Sequence, residues 1–321
     1  MKYTNKENVS LPMAVWLAQD NYDYQSDENV ISVTTLLRPT REIILSSRIP
    51  AGDGETDVAQ VLSSRIGTAI HDAVERAWLA DPKKALTALG YPSAVVNAIR
   101  VNPESVDEDD IPVYLEQRSD RKMGKWVISG KYDMIFDGTI NDIKSTKTYT
   151  YTARTNDQKY SEQLSIYRWL NPDKITDDTG KIQFLFTNWE KNYTLSDPSY
   201  PRLPILEYPV KLMSLPQTEN FIRSKLQNIE LHWRDVQSEL PRCTREELWQ
   251  KPPTFKYFSK LDAKRATKTF DNEAEAYGMQ MMKGTGFVKK FENEPVKCRF
   301  CNAASICDQA KEYVNQGILI L

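Results

Sequence analysis

The stretch from Gly130 to Lys144, G-K-Y-D-M-I-F-D-G-T-I-N-D-I-K, constrains the fold of this chain most. Asp137-Gly138 is a strong signal for a two-residue hairpin, because the favoured tight turn needs positive φ at both positions. A loop of those two residues sets Phe136 opposite Thr139, Ile135 opposite Ile140, Met134 opposite Asn141, and then Asp133 opposite Asp142. Directly opposed side chains have Cβ atoms about 4.5–5.5 Å apart, and like charges so placed destabilise the ribbon. A divalent cation between the two carboxylates removes the penalty, since hard cations prefer oxygen ligands. Strand alternation turns Asp142 and Lys144 to the same face. Two acids and a lysine at one place fit phosphodiester cleavage. A metal acidifies water and polarises the phosphoryl oxygen, and an ammonium group orients that water or offsets developing charge. The same residues also fit a plain exposed hairpin, so the surrounding chain has to decide.

Around this ribbon the periodicity alternates between helix and strand. Apolar residues from Val58 to Leu79 recur at helical spacing, with Ile66, Ile70, Ala73 and Ala77 as one stripe. Residues 1–30 read as partly helical, then acidic and irregular. Ile31 to Pro39 reads as a short element, 46–58 as a loop, and 82–110 as helical and then acidic. Residues 111–145 are β-rich. Asn156 or Asp157 is placed to cap a helix reaching about Leu170. Residues 182–189 and 208–212 read as strands, and 216–238 as an amphipathic helix. The order helix, three strands, helix, strand predicts an α/β core with a mixed central sheet flanked by helices. Residues 1–240 are expected to form that core with an N-terminal helical part, and 241–321 an appended cysteine-rich module packing on it.

Composition bounds the partners. The chain of 321 residues carries a net charge of −2, so contact with nucleic acid has to come from local basic patches. Arg118, Arg121, Lys122 and Lys125 form one patch, and Lys256, Lys260, Lys264, Arg265 and Lys268 the other. Phe255, Tyr257 and Phe258 are interleaved with the second, which suits either base stacking or a core. The polar start M-K-Y-T-N-K-E-N and the shortness of every apolar run point to a cytoplasmic protein without membrane contact. No phosphate-binding loop of the form G-x4-G-K-S/T occurs, which excludes an ATP-driven helicase.

Asp133 followed by Asp142-Ile143-Lys144 resembles the PD-(D/E)xK nuclease signature in its RecB-like form, although Tyr132 stands where the proline is usual. Glu116, in Y-L-E-Q-R, matches an acidic residue on the preceding strand. His71, in G-T-A-I-H-D, matches a metal-ligating histidine on the first core helix. Gln163 and Tyr167, in Q-L-S-I-Y, match the Q-x-x-x-Y motif and share a helix face. The resemblance implies a restriction-endonuclease-like fold and a metal-dependent deoxyribonuclease, acting as an exonuclease on DNA ends or single strands. It implies Mg2+ or Mn2+ held by His71, Asp133, Asp142 and the Ile143 carbonyl. Lys144 would assist the attacking water, Glu116 would bind metal or water, and Gln163 and Tyr167 would position the DNA backbone. By analogy the setting is recombination, repair or phage DNA processing, with a helicase or recombination protein as a further partner. The alternatives are a non-catalytic DNA-binding protein on the same scaffold and a zinc-stapled endonuclease.

All four cysteines lie in the last third of the chain: Cys243, then Cys298-x2-Cys301-x5-Cys307. Four clustered thiols suit tetrahedral zinc or an iron–sulfur cluster better than disulfides in a cytosolic protein. The C-x2-C-x5-C ending is similar to that of RecB-like nucleases with an iron–sulfur staple, which implies a structural four-iron cluster, with zinc as the alternative. In those relatives the first cysteine precedes the core; here Cys243 follows it.

Overall fold

A computed structural model of the chain describes residues 2–19, 27, 29–50 and 55–321. The acidic segment over 20–26, and Gly52 and Gly54 of the expected loop, lie outside these residues. In chain order the elements are β1 (Lys2–Thr4), α1 (Leu11–Ala18), β2 (Val30–Ser32), α2 (Val33–Leu36), α3 (Thr40–Ser47), β3 (Glu55–Asp57), α4 (Leu62–Ala80), α5 (Pro82–Ala88), α6 (Ser93–Ala98) and β4 (Ile99–Val101). There follow β5 (Ile111–Leu115), β6 (Arg118–Met123), β7 (Trp126–Lys131), β8 (Met134–Phe136), β9 (Thr139–Thr146), α7 (Thr148–Ala153), α8 (Asp157–Leu170), β10 (Thr179–Phe186), α9 (Tyr193–Ser196), β11 (Ile205–Lys211) and α10 (Leu215–His232). The last elements are β12 (Thr254–Phe258), β13 (Lys268–Phe270), α11 (Glu273–Lys283), β14 (Phe287–Phe291) and α12 (Asp308–Asn315). No helix among the described residues is long and apolar enough to cross a membrane.

The chain divides into two compact units, one of residues 1–37 and 51–225, the other of residues 38–50 and 226–321. The first is a mixed α/β unit. Its main sheet has the order β11-β10-β9-β8-β5-β4, with β9 and β10 parallel and β8 antiparallel to both β5 and β9. A second sheet, β2-β7-β6, takes the strand W-V-I-S-G-K away from the main one. The hairpin turns where expected: Asp137 and Gly138 sit at φ 46° and 81°, and Phe136, Ile135 and Met134 face Thr139, Ile140 and Asn141. A Cβ on Gly138 would come within 2.3 Å of Thr176 Oγ1, so the turn is tight on its outer side as well.

Helices cover both faces of β9. On one, α8 presses Tyr160 and Leu164, both buried, against a sheet that also buries Ile140, Ile182 and Phe184. Complete burial of each such side chain stabilises the fold by about 1.5–3 kcal/mol. On the other face, Gly67 of α4 lies over Ser145. Further along α4, Val74 and Trp78 pack with Ile99, Val113, Leu115 and Met134. The expected stripe on α4 is therefore displaced. Ile66, Ala73 and Ala77 are exposed, while Gly67, Ile70, His71, Val74 and Trp78 turn inward. Both sets satisfy helical spacing, and the larger apolar area of Val74 and Trp78 decides which one is covered.

The second unit begins earlier than residue 241 and includes an upstream helix. Ile44 and Leu45 of α3 join Leu240, Leu248, Ala303, Ala310 and Leu319 in one apolar cluster together with Cys298 and Cys307. The expected boundary overlooked α3 because 46–58 reads as loop and only its first residues belong to the helix. α10 ends at His232, short of residue 238. A three-stranded sheet, β13-β12-β14, completes the unit. Phe255, Tyr257 and Phe270 on one face of it pack with Ala276 of α11, so Phe255 and Tyr257 serve the core and are not free to stack on bases. Phe258 lies on the other face, stacked on Phe287 with ring centroids 5.0 Å apart.

Candidate functional site

The site in the first unit is made by a break in strand pairing. β5 and β6 are separated by Glu116 and Gln117, and β7 and β8 by Tyr132 and Asp133, so a long antiparallel ribbon kinks between the two sheets at these four residues. Glu116 holds the left-handed conformation, φ 49°, and its N–H donates to the Asp133 carbonyl at 3.0 Å. Fully buried Tyr132 fixes the kink from below, donating its hydroxyl to Gln117 Oε1 at 2.8 Å. Interruptions of this kind re-aim side chains, and here they aim the carboxylates of Glu116 and Asp133 at α4.

Beyond the kink β8 no longer covers β9, which leaves the N–H and carbonyl of Ile143 without strand partners on that side. Buried backbone groups have to be satisfied, and the site residues do this. Asp133 Oδ2 accepts from the Ile143 N–H at 2.7 Å, and Nε2 of His71 lies 3.1 Å from the Ile143 carbonyl. With Nε2–H so engaged, Nδ1 of His71 faces the carboxylates, 3.4 Å from Asp133 Oδ1 and 3.6 Å from Glu116 Oε1. One ligand atom from each of His71, Glu116 and Asp133 lies within 4.8 Å of the others. Ile143 thus serves the site through both backbone groups, anchoring the Asp133 carboxylate and orienting the His71 ring.

Asp133 does not stand directly across the ladder from Asp142, as a straight ribbon would require. Pairing stops at Met134 and Asn141, because the kink takes Asp133 out of register. Asp142 instead points toward α8. Its Oδ1 accepts from Gln163 Nε2 at 3.0 Å and its Oδ2 pairs with Lys144 Nζ at 2.6 Å. Asp142 and Lys144 do share a face. Gln163 also reaches Tyr167 Oη at 3.5 Å, and both residues are buried. As placed, they brace Asp142 from behind and are not exposed to a DNA backbone.

The electrostatics follow from crowding charges in a dry place. Burial pushes the His71 imidazole down, but Asp133 and Glu116 outweigh it and raise the group to about 10. Burial pushes Asp133 up, and His71, Lys144 and the Ile143 N–H together hold it below its ordinary value. Asp142 is raised to about 6, mainly by burial and further by Asp133, with Lys144 opposing. Burial pushes Lys144 down, yet Asp142 and Asp133 more than restore its positive form. A protonated His71 therefore stands beside two carboxylates, the position a cation would take. Sequence reasoning passed over Lys131 as a site residue. Its Nζ lies 2.7 Å from Glu116 Oε2 and fixes that carboxylate from outside. The alternation of Gly130, Lys131 and Tyr132 just ahead of Asp133 was the available signal.

The basic residues fall into two groups. Arg121 is structural: its Nη1 donates to the Trp169 carbonyl at 2.8 Å and its guanidinium lies 4.3 Å from the Trp169 ring centroid. Lys122 is exposed on β6. In the second unit, Lys260, Lys264, Arg265 and Lys268 are exposed around the β12–β13 turn, and Lys256 is half-buried with its ammonium 4.4 Å from the Phe291 ring centroid.

The four cysteines of the second unit are free thiols gathered around one cavity, which is also lined by Arg41, Glu42, Glu247 and Lys297. Burial and the neighbouring acids and sulfurs push Cys243 up to about 12 and Cys298 up to about 11, and burial raises Cys301. Thiols this crowded resist ionisation until a cation shares them, and a coordinated metal deprotonates them outright. The donor set fits tetrahedral zinc or an iron–sulfur cluster.

No family model and no curated protein matches the chain. Among solved structures, a crystal structure described as SSO0001 is similar at a TM-score of 0.42 and 15% identity, over 73% of this chain and 98% of that one. A phage-related exonuclease from Haemophilus somnus 129PT is similar at a TM-score of 0.32 and 15% identity, over 63% of this chain and 82% of that one.

Proposed function

We propose that the chain is a metal-dependent deoxyribonuclease of the PD-(D/E)xK superfamily, RecB-like, acting on DNA ends or single strands. One observation carries the reading: His71 Nδ1, Glu116 and Asp133 converge within 4.8 Å, next to a paired Asp142 and Lys144. A carboxylate pair with one imidazole suits Mg2+ or Mn2+, held by His71, Glu116 and Asp133, with the Asp142–Lys144 pair beside them. When bound, such an ion supplies polarisation of a phosphoryl oxygen and acidification of water.

The protein's own residues prepare that chemistry. The Ile143 carbonyl keeps the His71 ring turned so that Nδ1, not Nε2, is the free donor, as backbone carbonyls commonly do for ligating histidines. Lys131 and the Ile143 N–H fix the Glu116 and Asp133 carboxylates. Gln163 holds Asp142 in its rotamer and leaves its second oxygen to Lys144. Lys144 places its ammonium where it can orient the attacking water and offset charge building on the phosphate. Exposed Lys260, Lys264, Arg265 and Lys268 supply backbone contacts. The four cysteines hold a structural four-iron cluster or zinc. The setting is recombination, repair or phage DNA processing in the cytoplasm, alongside a helicase or recombination protein.

The test is digestion of end-labelled DNA, single-stranded and duplex, linear and circular, with and without Mn2+. Cleavage is expected only with metal. Asp142→Ala should lower the rate by a factor on the order of 10²–10⁴ while DNA binding largely survives. A protein loaded at its cysteines that cuts none of these substrates in any divalent metal would not be a nuclease.

A further inference from the structure

Arg41, in α3, is only 4% exposed and lines the same cavity as the four cysteines. Its Nη1 donates to the carbonyls of Gln237 and Leu240 at 3.0 and 3.1 Å. Its Nε donates to Cys307 Sγ at 3.3 Å. It forms no ion pair with a carboxylate of the described residues. Glu42, its neighbour in sequence, is taken by Lys297 at 3.4 Å and Arg38 at 3.7 Å. A guanidinium keeps its charge at every physiological pH, and a buried charge without a counter-charge is strongly unfavourable. Two carbonyls and a neutral thiol provide hydrogen bonds but no negative charge, and the nearby Glu312 carboxylate, which feels the guanidinium from a distance, is itself engaged by Arg242 at 2.6 Å.

We propose that Arg41 is the counter-ion of a thiolate centre formed by Cys243, Cys298, Cys301 and Cys307, donating an N–H to the Cys307 sulfur. Four thiolates around zinc, or around a four-iron cluster, leave a net negative charge, and the buried guanidinium compensates it. The same fork grips the chain just after α10, so loading the centre fastens α3, residues 237–240 and Cys307 together. Arg41 is a positioning residue: it acts through the sulfur and touches no substrate. The inference rests on the reading of the four cysteines as a metal centre and is independent of nuclease activity.

The test uses the full chain as wild type, Arg41→Met, Arg41→Lys, Cys307→Ala and the double variant Arg41→Met/Cys307→Ala. Each is offered Zn2+, or, without oxygen, Fe2+ with sulfide, and bound metal and its release to a chelator are measured. Arg41→Met should weaken metal retention about 10- to 100-fold, the range typical for losing a residue that supports a ligand. Arg41→Lys, which keeps charge without the fork, should fall between. In metal-free protein the sign should reverse. With Cys307→Ala as background, Arg41→Met should raise the melting temperature, because it removes an unpaired buried charge. If Arg41→Met retains metal like wild type, or lowers the melting temperature equally with and without Cys307, Arg41 is a packing residue and the inference is wrong. If wild type binds neither zinc nor iron, the centre itself fails and the inference with it.

Discussion

At the scale of single residues, Glu116 combines strain with chemistry. A non-glycine residue at positive φ costs on the order of 1–3 kcal/mol and persists where the surroundings impose it. Here the kink needs that backbone angle, and it carries the Glu116 carboxylate to within 3.6 Å of His71 Nδ1. Glu116→Gly separates the two. It should raise the stability of the metal-free protein by about 1 kcal/mol, measured by denaturant unfolding, and should weaken Mn2+ binding measured by calorimetry. A variant that loses both would show that the carboxylate also holds the fold. The glycine at 116 keeps the N–H that meets the Asp133 carbonyl, so the backbone link across the kink survives.

At the scale of elements, the site depends on how closely α8 approaches the strands. A Cβ at Gly130 would lie 2.8 Å from Leu170 and Val33 and 2.9 Å from Tyr167. Gly130→Ala should therefore cost about 1–3 kcal/mol through overpacking. The displaced helix carries Gln163, so the support of Asp142 should loosen. Cleavage should fall while Mn2+ affinity at His71, Glu116 and Asp133 stays within about threefold of wild type, because those residues come from α4 and the kink. Equal losses of affinity and rate would mean that α8 supports the whole site. Much of this level could be read beforehand: the turn at Asp137-Gly138, the three pairs that follow it, and the helix over 157–170. Alternation on β9 correctly placed Asp142 beside Lys144, because a period of two is a local property of the backbone.

At the scale of the whole molecule, the metal binding we propose would be linked to stability through buried charge. Asp142 has an ordinary value of 3.8 and is raised to about 6 in the fold. Between these values the folded chain holds a proton that the unfolded chain has released. The contribution of this group is therefore fully present at low pH and is lost as pH rises through about 6. A divalent cation reverses that, since it favours the ionised carboxylate. Millimolar Mn2+ should raise the melting temperature at pH 8 by several degrees and much less at pH 5. The shift should vanish in Asp133→Asn. A shift of equal size at both pH values would place the metal away from this site.

Residues alone indicated the hairpin and its turn, the shared face of Asp142 and Lys144, and the four clustered cysteines, while His71, Glu116, Gln163 and Tyr167 were singled out by resemblance to a known motif set. These depend on local backbone rules and on residue type, which a linear chain displays. The tertiary structure decided how the set is divided: His71, Glu116 and Asp133 meet on one side of Ile143, while Asp142, Lys144 and Gln163 meet on the other. It also turned α4 by one residue and brought Arg41 against a cysteine 266 positions later. The physical reason is common to all three. A kink in a ribbon, the face of a helix that is covered, and the counter-charge of a buried ion are fixed by what packs against them, and neighbours distant in sequence leave no local mark.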